Sequence, residues 1–287
     1  MQDFFLRTED IKPEYILDLY VETDQDREIV ERLMSPTPMI LEGSRGTGKT
    51  FLLRVAEINL LQNLPTLKVL PVYISFIKSS LLQSGTPNQF IHWMMAKICS
   101  RLLKTLYQVG KLVRFSGALS LLSGSEAPSD AGSFKIEKIS TEFEETYKNP
   151  GKVVDASCIP SVEDFKDSVE EICKSLNIEK IILFFDEAAH IFRPEQQRQF
   201  FTLFRDLRSP YISCKAAVYP GVTFYGPTFQ VTHDATLISL NRNPLDQKYL
   251  ENMRQIVFKQ VDSNTQRQIT ERGENFNALS YAVSGNP

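Results

Sequence analysis

The chain has 287 residues, with 32 Lys plus Arg against 35 Asp plus Glu and a formal net charge of −3. That length can bury a full hydrophobic core and still leave a small second domain. So even a charge balance does not call for nucleic acid or a membrane surface, although a local basic patch is compatible with it.

Cys99, Cys158, Cys173 and Cys214 are scattered without metal-like pairing. They read as reduced structural thiols, and the chain reads as cytoplasmic. Met1-Gln2-Asp3-Phe4-Phe5 has no basic stretch followed by an apolar one, so neither a signal peptide nor a membrane span is expected.

Residues 1–22 form an approach segment with Tyr15, Ile16, Leu19 and Tyr20 as its apolar positions. Thr23 is expected to cap a helix, with Asp26 reaching back to it and Ile29, Val30, Leu33 and Met34 on one face. Pro36 and Pro38 end that helix. Pro38 to Leu41 is then a short apolar run of strand length.

Residues 43 to 50 read Gly-Ser-Arg-Gly-Thr-Gly-Lys-Thr, the spacing of a phosphate loop. Gly43, Gly46 and Gly48 let the backbone turn tightly and bring several N–H groups inward. A helix starting near Gly48, with Leu52, Leu53, Val55, Ala56 and Ile58 as apolar positions, adds free N–H groups and partial positive charge. Lys49 suits the β- and γ-phosphates and Thr50 suits Mg²⁺. The nucleotide-binding set is Gly43, Ser44, Arg45, Gly46, Thr47, Gly48, Lys49, Thr50 and Phe51.

Val69 to Ile74 is a second strand, and Pro71 places it at a sheet edge. Thr86-Pro87-Asn88-Gln89 starts a helix running to about Tyr107. Arg101, Lys104, Lys111 and Arg114 on or beyond it read as a solvated face, with a nucleic-acid patch as the rival. The Ser-, Gly- and Ala-rich stretch 116–133 reads as a mobile loop. Phe134 to Glu145 alternates briefly and reads as a strand or hairpin arm. Residues 110–158 together look like an insertion in the core fold.

Ser161 caps a helix carrying Val162, Phe165, Val169, Ile172 and Leu176. It leads into Ile181-Ile182-Leu183-Phe184-Phe185, five apolar residues that need both faces covered, as in a central parallel strand. Asp186 and Glu187 stand at its carboxyl end, where open α/β sheets bind ligands. Asp186 is the candidate Mg²⁺ holder and Glu187 the candidate general base.

Pro194 opens a helix whose Phe200, Phe201, Leu203, Phe204 and Leu207 read as core. Strands follow at Cys214–Tyr219 and Ala235–Leu240. Asn243-Pro244 is expected to start a helix through Met253 and Val257, and a last helix ends near Ser284-Gly285-Asn286-Pro287. Strands alternating with helices imply a parallel sheet covered on both faces, followed by a helical subdomain.

The pattern resembles the AAA+ ATPases, in particular the branch of origin-recognition and STAND-type ATPases. The resemblance rests on Tyr20-Val21 through Arg27-Glu28, on Gly43 to Thr50, on Phe185-Asp186-Glu187, and on Ala282 to Pro287, which looks like the Gly-x-Pro element of the STAND lid. It implies an α/β P-loop NTPase fold: a three-layer α/β/α parallel sheet in the order 5-1-4-3-2, then a helical lid. The core would span 23–242 and the lid 243–287. ATP or ADP with Mg²⁺ would sit between core and lid, with Pro287 near the base, Glu187 and Lys49 catalytic, and Thr50 and Asp186 on the metal. Nucleotide-controlled conformation or assembly follows, in a homo-oligomer or larger complex. DNA is a possible partner that charge does not indicate.

Three departures accompany the resemblance. A polar sensor of the γ-phosphate, often Asn, Thr or Arg, is expected after the fourth strand, where the run Ala217 to Thr223 offers only Thr223 or Tyr219 as candidates. Arg205, Arg208 and Arg242 are the available arginine-finger candidates. The chain stops at Pro287, where a relative would begin another helix, so a fragment of a longer protein is expected. The rivals to a hydrolysing switch are a nucleotide-gated scaffold that loads onto DNA with little hydrolysis, and a phosphate-loop kinase for a small molecule.

Overall fold

A computed structural model describes residues 5, 7–82, 88–111, 116–124, 134–149, 151–188 and 193–283. The approach segment holds two 3-10 turns and the short α1 (Ile16–Leu19). Next is α2 (Asp24–Met34), whose first turn is capped by the Thr23 hydroxyl accepting from Asp26 N at 3.1 Å. The Asp26 carboxylate does not reach back to Thr23, as the sequence suggested; it is turned to Arg242 instead.

Strand β1 (Met39–Glu42) leads through the glycine loop into α3 (Lys49–Gln62) and the short α4 (Leu64–Leu67). β2 (Val69–Ser75) and a 3-10 turn, Ile77–Leu81, precede α5 (Gln89–Gln108). Thr86 and Pro87, expected to start that helix, lie outside the described residues.

Three helices follow: α6 (Gly117–Ser123), α7 (Lys135–Glu144) and α8 (Val162–Leu176). β3 (Lys180–Asp186), α9 (Pro194–Asp206), β4 (Ile212–Val218), the short α10 (Val231–Asp234) and β5 (Thr236–Ser239) complete the core. The region expected as the lid holds α11 (Tyr249–Phe258), α12 (Ser263–Glu271) and α13 (Gly273–Ala282).

The five strands pair in parallel in the order β2-β3-β4-β1-β5, which is the expected 5-1-4-3-2 read from the other edge. Pro71 lies on the edge strand β2, where its missing N–H costs least. Side chains of β3 alternate between two cores. Ile181, Leu183 and Phe185 join α5 to α9 on one face; Ile182 and Phe184 join α1, α2 and α3 on the other. These are the three layers of an α/β/α sandwich. The aromatic stripe of α9 is core, with Phe185 and Phe200 edge to face at 5.4 Å.

Three local expectations fail. Residues 134–145 form a helix, not a strand: Ile136, Ile139, Ser140 and Phe143 are all buried at the i, i+3, i+4, i+7 spacing of one helical face. The brief alternation of Phe134-Lys135-Ile136-Glu137 fits both periods. Within 116–133 a helix is present, capped by Ser116 on Leu119 N and closed by Gly124 at φ 84°; residues 125–133 lie outside the described residues. Asn243-Pro244 does not start the lid helix. The Asn243 and Asp246 side chains accept from Leu245 N and Lys248 N, making successive Asx turns that delay the helix to Tyr249.

The predicted insertion is packed into the core, with Leu119, Leu122, Phe134, Ile136 and Phe143 in the larger hydrophobic cluster. Among the described residues no helix is long and apolar enough to cross a membrane.

Candidate functional site

Parallel strands point their carboxyl ends to one edge of the sheet, so the loops after β1, β3 and β4 converge there. The loop after β1 is anchored at its base from both neighbouring strands. Gly43 N donates to Val218 O at 3.2 Å, and Leu240 N donates to Glu42 O at 2.7 Å. A Cβ at Gly43 would sit 2.8 Å from Thr47 Oγ1 and 3.0 Å from Leu240 O, so only glycine lets the loop base lie against β5. Gly48, at φ 95°, is the left-handed N-cap from which α3 starts. Ser44, Arg45 and Gly46 at the tip are exposed, and Thr47 is buried with its hydroxyl on Ser44 O at 2.9 Å.

Lys49 is buried in the first turn of α3. Its ammonium donates to Gly43 O at 2.6 Å and Ser44 O at 2.8 Å, and lies 3.9 Å from the centre of the Tyr219 ring. Burial lowers its pKa to about 8, against the pull of Asp186 and Glu187. The lysine thus satisfies carbonyls of its own loop. Thr50 follows, half-buried, one residue into the helix.

Asp186 ends β3 and is buried. One carboxylate oxygen accepts from Tyr73 OH at 2.5 Å and the other from Glu187 N at 2.9 Å. Tyr73 is itself held in place: the Arg54 guanidinium stacks 4.5 Å from its ring centre, and Arg101 Nε donates to its carbonyl at 2.9 Å. Glu187 sits at φ 60°, a left-handed backbone uncommon for a side chain of its kind. Its pKa is raised to about 7, first by burial and then by Asp186 and Glu9.

A cavity opens beside the loop, between the approach segment and the C-terminal helical region. Thr8, Tyr20, Gly46, Phe51, Arg242 and Val257 are among its walls. Arg242 reaches both carboxylate oxygens of Asp26 at 3.2 Å, and the two side chains are only 10% and 3% exposed. A buried arginine already paired within its own chain does not fit an arginine finger for a neighbour. Arg205 pairs with Asp206 and donates to Thr228 O. Of the sensor candidates, Tyr219 lies against Lys49, whereas Thr223 turns its hydroxyl to Tyr219 O at 2.7 Å.

Lys49, Asp186, Glu187 and Tyr219 are therefore brought together, with Gly43 to Phe51 around them. Pro287 lies outside the described residues, as do Ser284 to Asn286. Sequence reasoning missed Tyr73, whose partner Asp186 is 113 residues away, and missed the part of the approach segment from Arg7 to Ile11 that lines the cavity. It also missed the Asp26–Arg242 pair. No signal in the sequence marks that pair, because a first-turn acid is normally solvated and only burial shows that Asp26 needs a cationic partner.

Fold and site together have the architecture of a P-loop module, a parallel sheet with a glycine loop between its first strand and the following helix. Residues 5–113, less than half of the chain, match the model of the ORC-CDC6-like family, so over that stretch the chain is similar to that family. The match covers the approach segment, β1, the glycine loop, α3 and β2, and ends before β3. No curated protein matches the chain.

Proposed function

We propose that this module binds ATP with Mg²⁺, hydrolyses it, and uses nucleotide state to set its conformation and its assembly with neighbouring subunits. The observation that carries this is the meeting of Lys49, Asp186 and Glu187 at one edge of the sheet, beside a glycine loop shaped for phosphate.

The residues fit such a ligand. The loop and the start of α3 offer backbone N–H groups, and Lys49 can exchange its two carbonyl partners for phosphate oxygens. Thr50 and Asp186 would hold Mg²⁺. Two protein oxygens suit an ion that keeps waters and takes its other ligands from phosphates, and each Asp186 oxygen retains a lone pair beyond its one hydrogen bond. When bound, the metal neutralises charge that develops on the phosphates. Glu187, held near neutrality by burial, is suited to accept a proton from water. Tyr73 fixes the Asp186 carboxylate, and Tyr219 gives the Lys49 ammonium a resting place.

A second reading, a nucleotide-gated scaffold that loads onto DNA with little hydrolysis, is supported by the ORC-CDC6-like match. DNA binding that requires ATP and falls steeply with salt would favour it.

The test combines ATP turnover with particle mass. Lys49→Ala is expected to lose nucleotide binding or turnover. Glu187→Gln is expected to bind ATP while turnover falls by about 10²–10⁴-fold, and to accumulate as an ATP-dependent oligomer. Wild-type turnover in Glu187→Gln would refute the base assignment. Binding without turnover or change of mass would favour the scaffold.

A further inference from the structure

A second polar cleft, of about 290 Å³, lies between α5, α7 and the turn after β2. Its charges do not balance. Lys78, Lys97, Arg101 and Lys104 face only two carboxylates, Glu137 and Glu144. Glu144, 5% exposed, takes both Lys78 at 3.0 Å and Lys97, and Glu137 takes Lys104. Arg101 has no carboxylate partner in the cleft. Its Nε is spent on Tyr73 O, and among the described residues its two terminal nitrogens have no hydrogen-bond partner. The nearby Glu57 is paired with Arg54 at 2.6 Å.

Two hydroxyls point to the same conclusion. Ser100 and Ser140 are each 4% exposed, both line the cleft, and neither hydroxyl has a hydrogen-bond partner among the described residues. Neither hydroxyl oxygen is sealed from the cleft, so the two hydroxyls and the terminal nitrogens of Arg101 are available as donors to an acceptor bound there. Two positive charges in excess exclude a cation as that acceptor, and the polar walls exclude an apolar ligand. A phosphate group fits: it carries up to two negative charges, and its oxygens accept from an arginine fork and from hydroxyls.

We propose that this cleft is a binding site for a phosphate group, distinct from the glycine loop, with Arg101 and Lys104 supplying charge and Ser100 and Ser140 supplying hydroxyl donors. Arg101 also holds the Tyr73 carbonyl, and Tyr73 holds Asp186, so an occupied cleft bears on the nucleotide site through one residue of β2. That coupling rests on the function proposed above; the binding itself does not.

The test uses the full chain carrying Lys49→Ala, so that the glycine loop has lost its lysine, with inorganic pyrophosphate as probe and calorimetry as readout. One site per chain is expected, weakened about tenfold by Arg101→Gln or Lys104→Gln. Both positions are partly exposed, and Lys104→Arg, which keeps the charge, is expected to retain the affinity. A single-stranded oligonucleotide in the same background separates the sources. Binding lost in Lys104→Gln assigns the phosphate to a nucleic-acid backbone, whereas pyrophosphate binding alone assigns it to a small free compound. No binding in the Lys49→Ala chain, or affinity unchanged by both Gln variants, overturns the proposal. A wild-type chain that neither binds nor turns over ATP would sink the nucleotide-site reading and leave this result standing.

Discussion

Glu187 combines an uncommon backbone conformation with a carboxyl pushed up to about 7 from 4.5. In the free protein the folded state therefore holds a proton that the unfolded chain has already released between those two values. Stability falls as pH rises through that window, and the loss is complete above about pH 7. Glu187→Gln removes the titrating group while keeping the shape. Its melting temperature should exceed wild type at pH 8 and converge with it near pH 4.5; equal melting curves at both would show that burial does not shape this carboxyl. Tyr73→Phe deletes one donor to Asp186. Losing a bond to a charged acceptor should cost about 1–3 kcal/mol in denaturant unfolding. It should also raise the Mg²⁺ concentration needed for half-maximal nucleotide binding, an effect that a purely structural tyrosine would not produce. The glycine loop and the two acids were legible in the residues because each is a contiguous motif with its own local geometry. Tyr73 was not, because nothing near it in the chain reports the carboxylate it meets.

Elements were legible where one period dominated. α2, α3, α8 and α9 show their apolar faces at helical spacing, and β3 shows five consecutive buried apolar residues. α7 was misread because its first residues fit two periods and its partners, α5 and the acids' lysines, come from elsewhere. Of the basic residues read on or beyond α5, Lys104 pairs with Glu137 of α7 and Arg101 holds the Tyr73 carbonyl, while Arg114 lies outside the described residues. Lys215 of β4 is a further case: it lies wholly buried in a strand and donates to the carbonyls of Arg32, Ser35 and Thr37. It ties the end of α2 to the sheet, where the last carbonyls of a helix lack partners of their own. Lys215→Met keeps the volume and takes the amine from the Ser35 and Thr37 carbonyls, so a loss of about 2–4 kcal/mol in unfolding free energy is expected. A variant as stable as wild type would mean that water replaces the amine.

At the scale of the whole molecule, the C-terminal helical region is lightly attached. Its three helices bury only Tyr249, Met253 and Ser280. Its polar links to the core include Lys259 to Asp18 O at 2.9 Å, Phe5 N to Gln260 at 3.2 Å and an exposed ion pair of Lys248 with Asp24. Within that region, Tyr249 OH donates to Ser280 O at 2.6 Å and holds α11 against α13. A unit that is tied internally and loosely joined is suited to move as one body. Limited proteolysis should cut first in residues 243–248, and ATP should slow that cut in wild type but not in Lys49→Ala. Equal rates with and without nucleotide would argue against a lid that responds to it.

The parallel sheet, the phosphate loop and the acidic strand end were legible in the sequence itself, whereas the order of the five strands was implied only by the family resemblance. The first three follow from short-range rules: apolar runs for buried strands, helical spacing between them, and glycines where the backbone must turn left-handed. Tertiary structure alone decided which side chains complete the site and the second cleft. Asp26 finds Arg242 216 residues away, Tyr73 finds Asp186, and α7 brings two carboxylates to four cations and leaves the charge unbalanced. Burial and proximity set those contacts and the shifted pKa values that go with them, and both arise only when distant segments of the chain pack together.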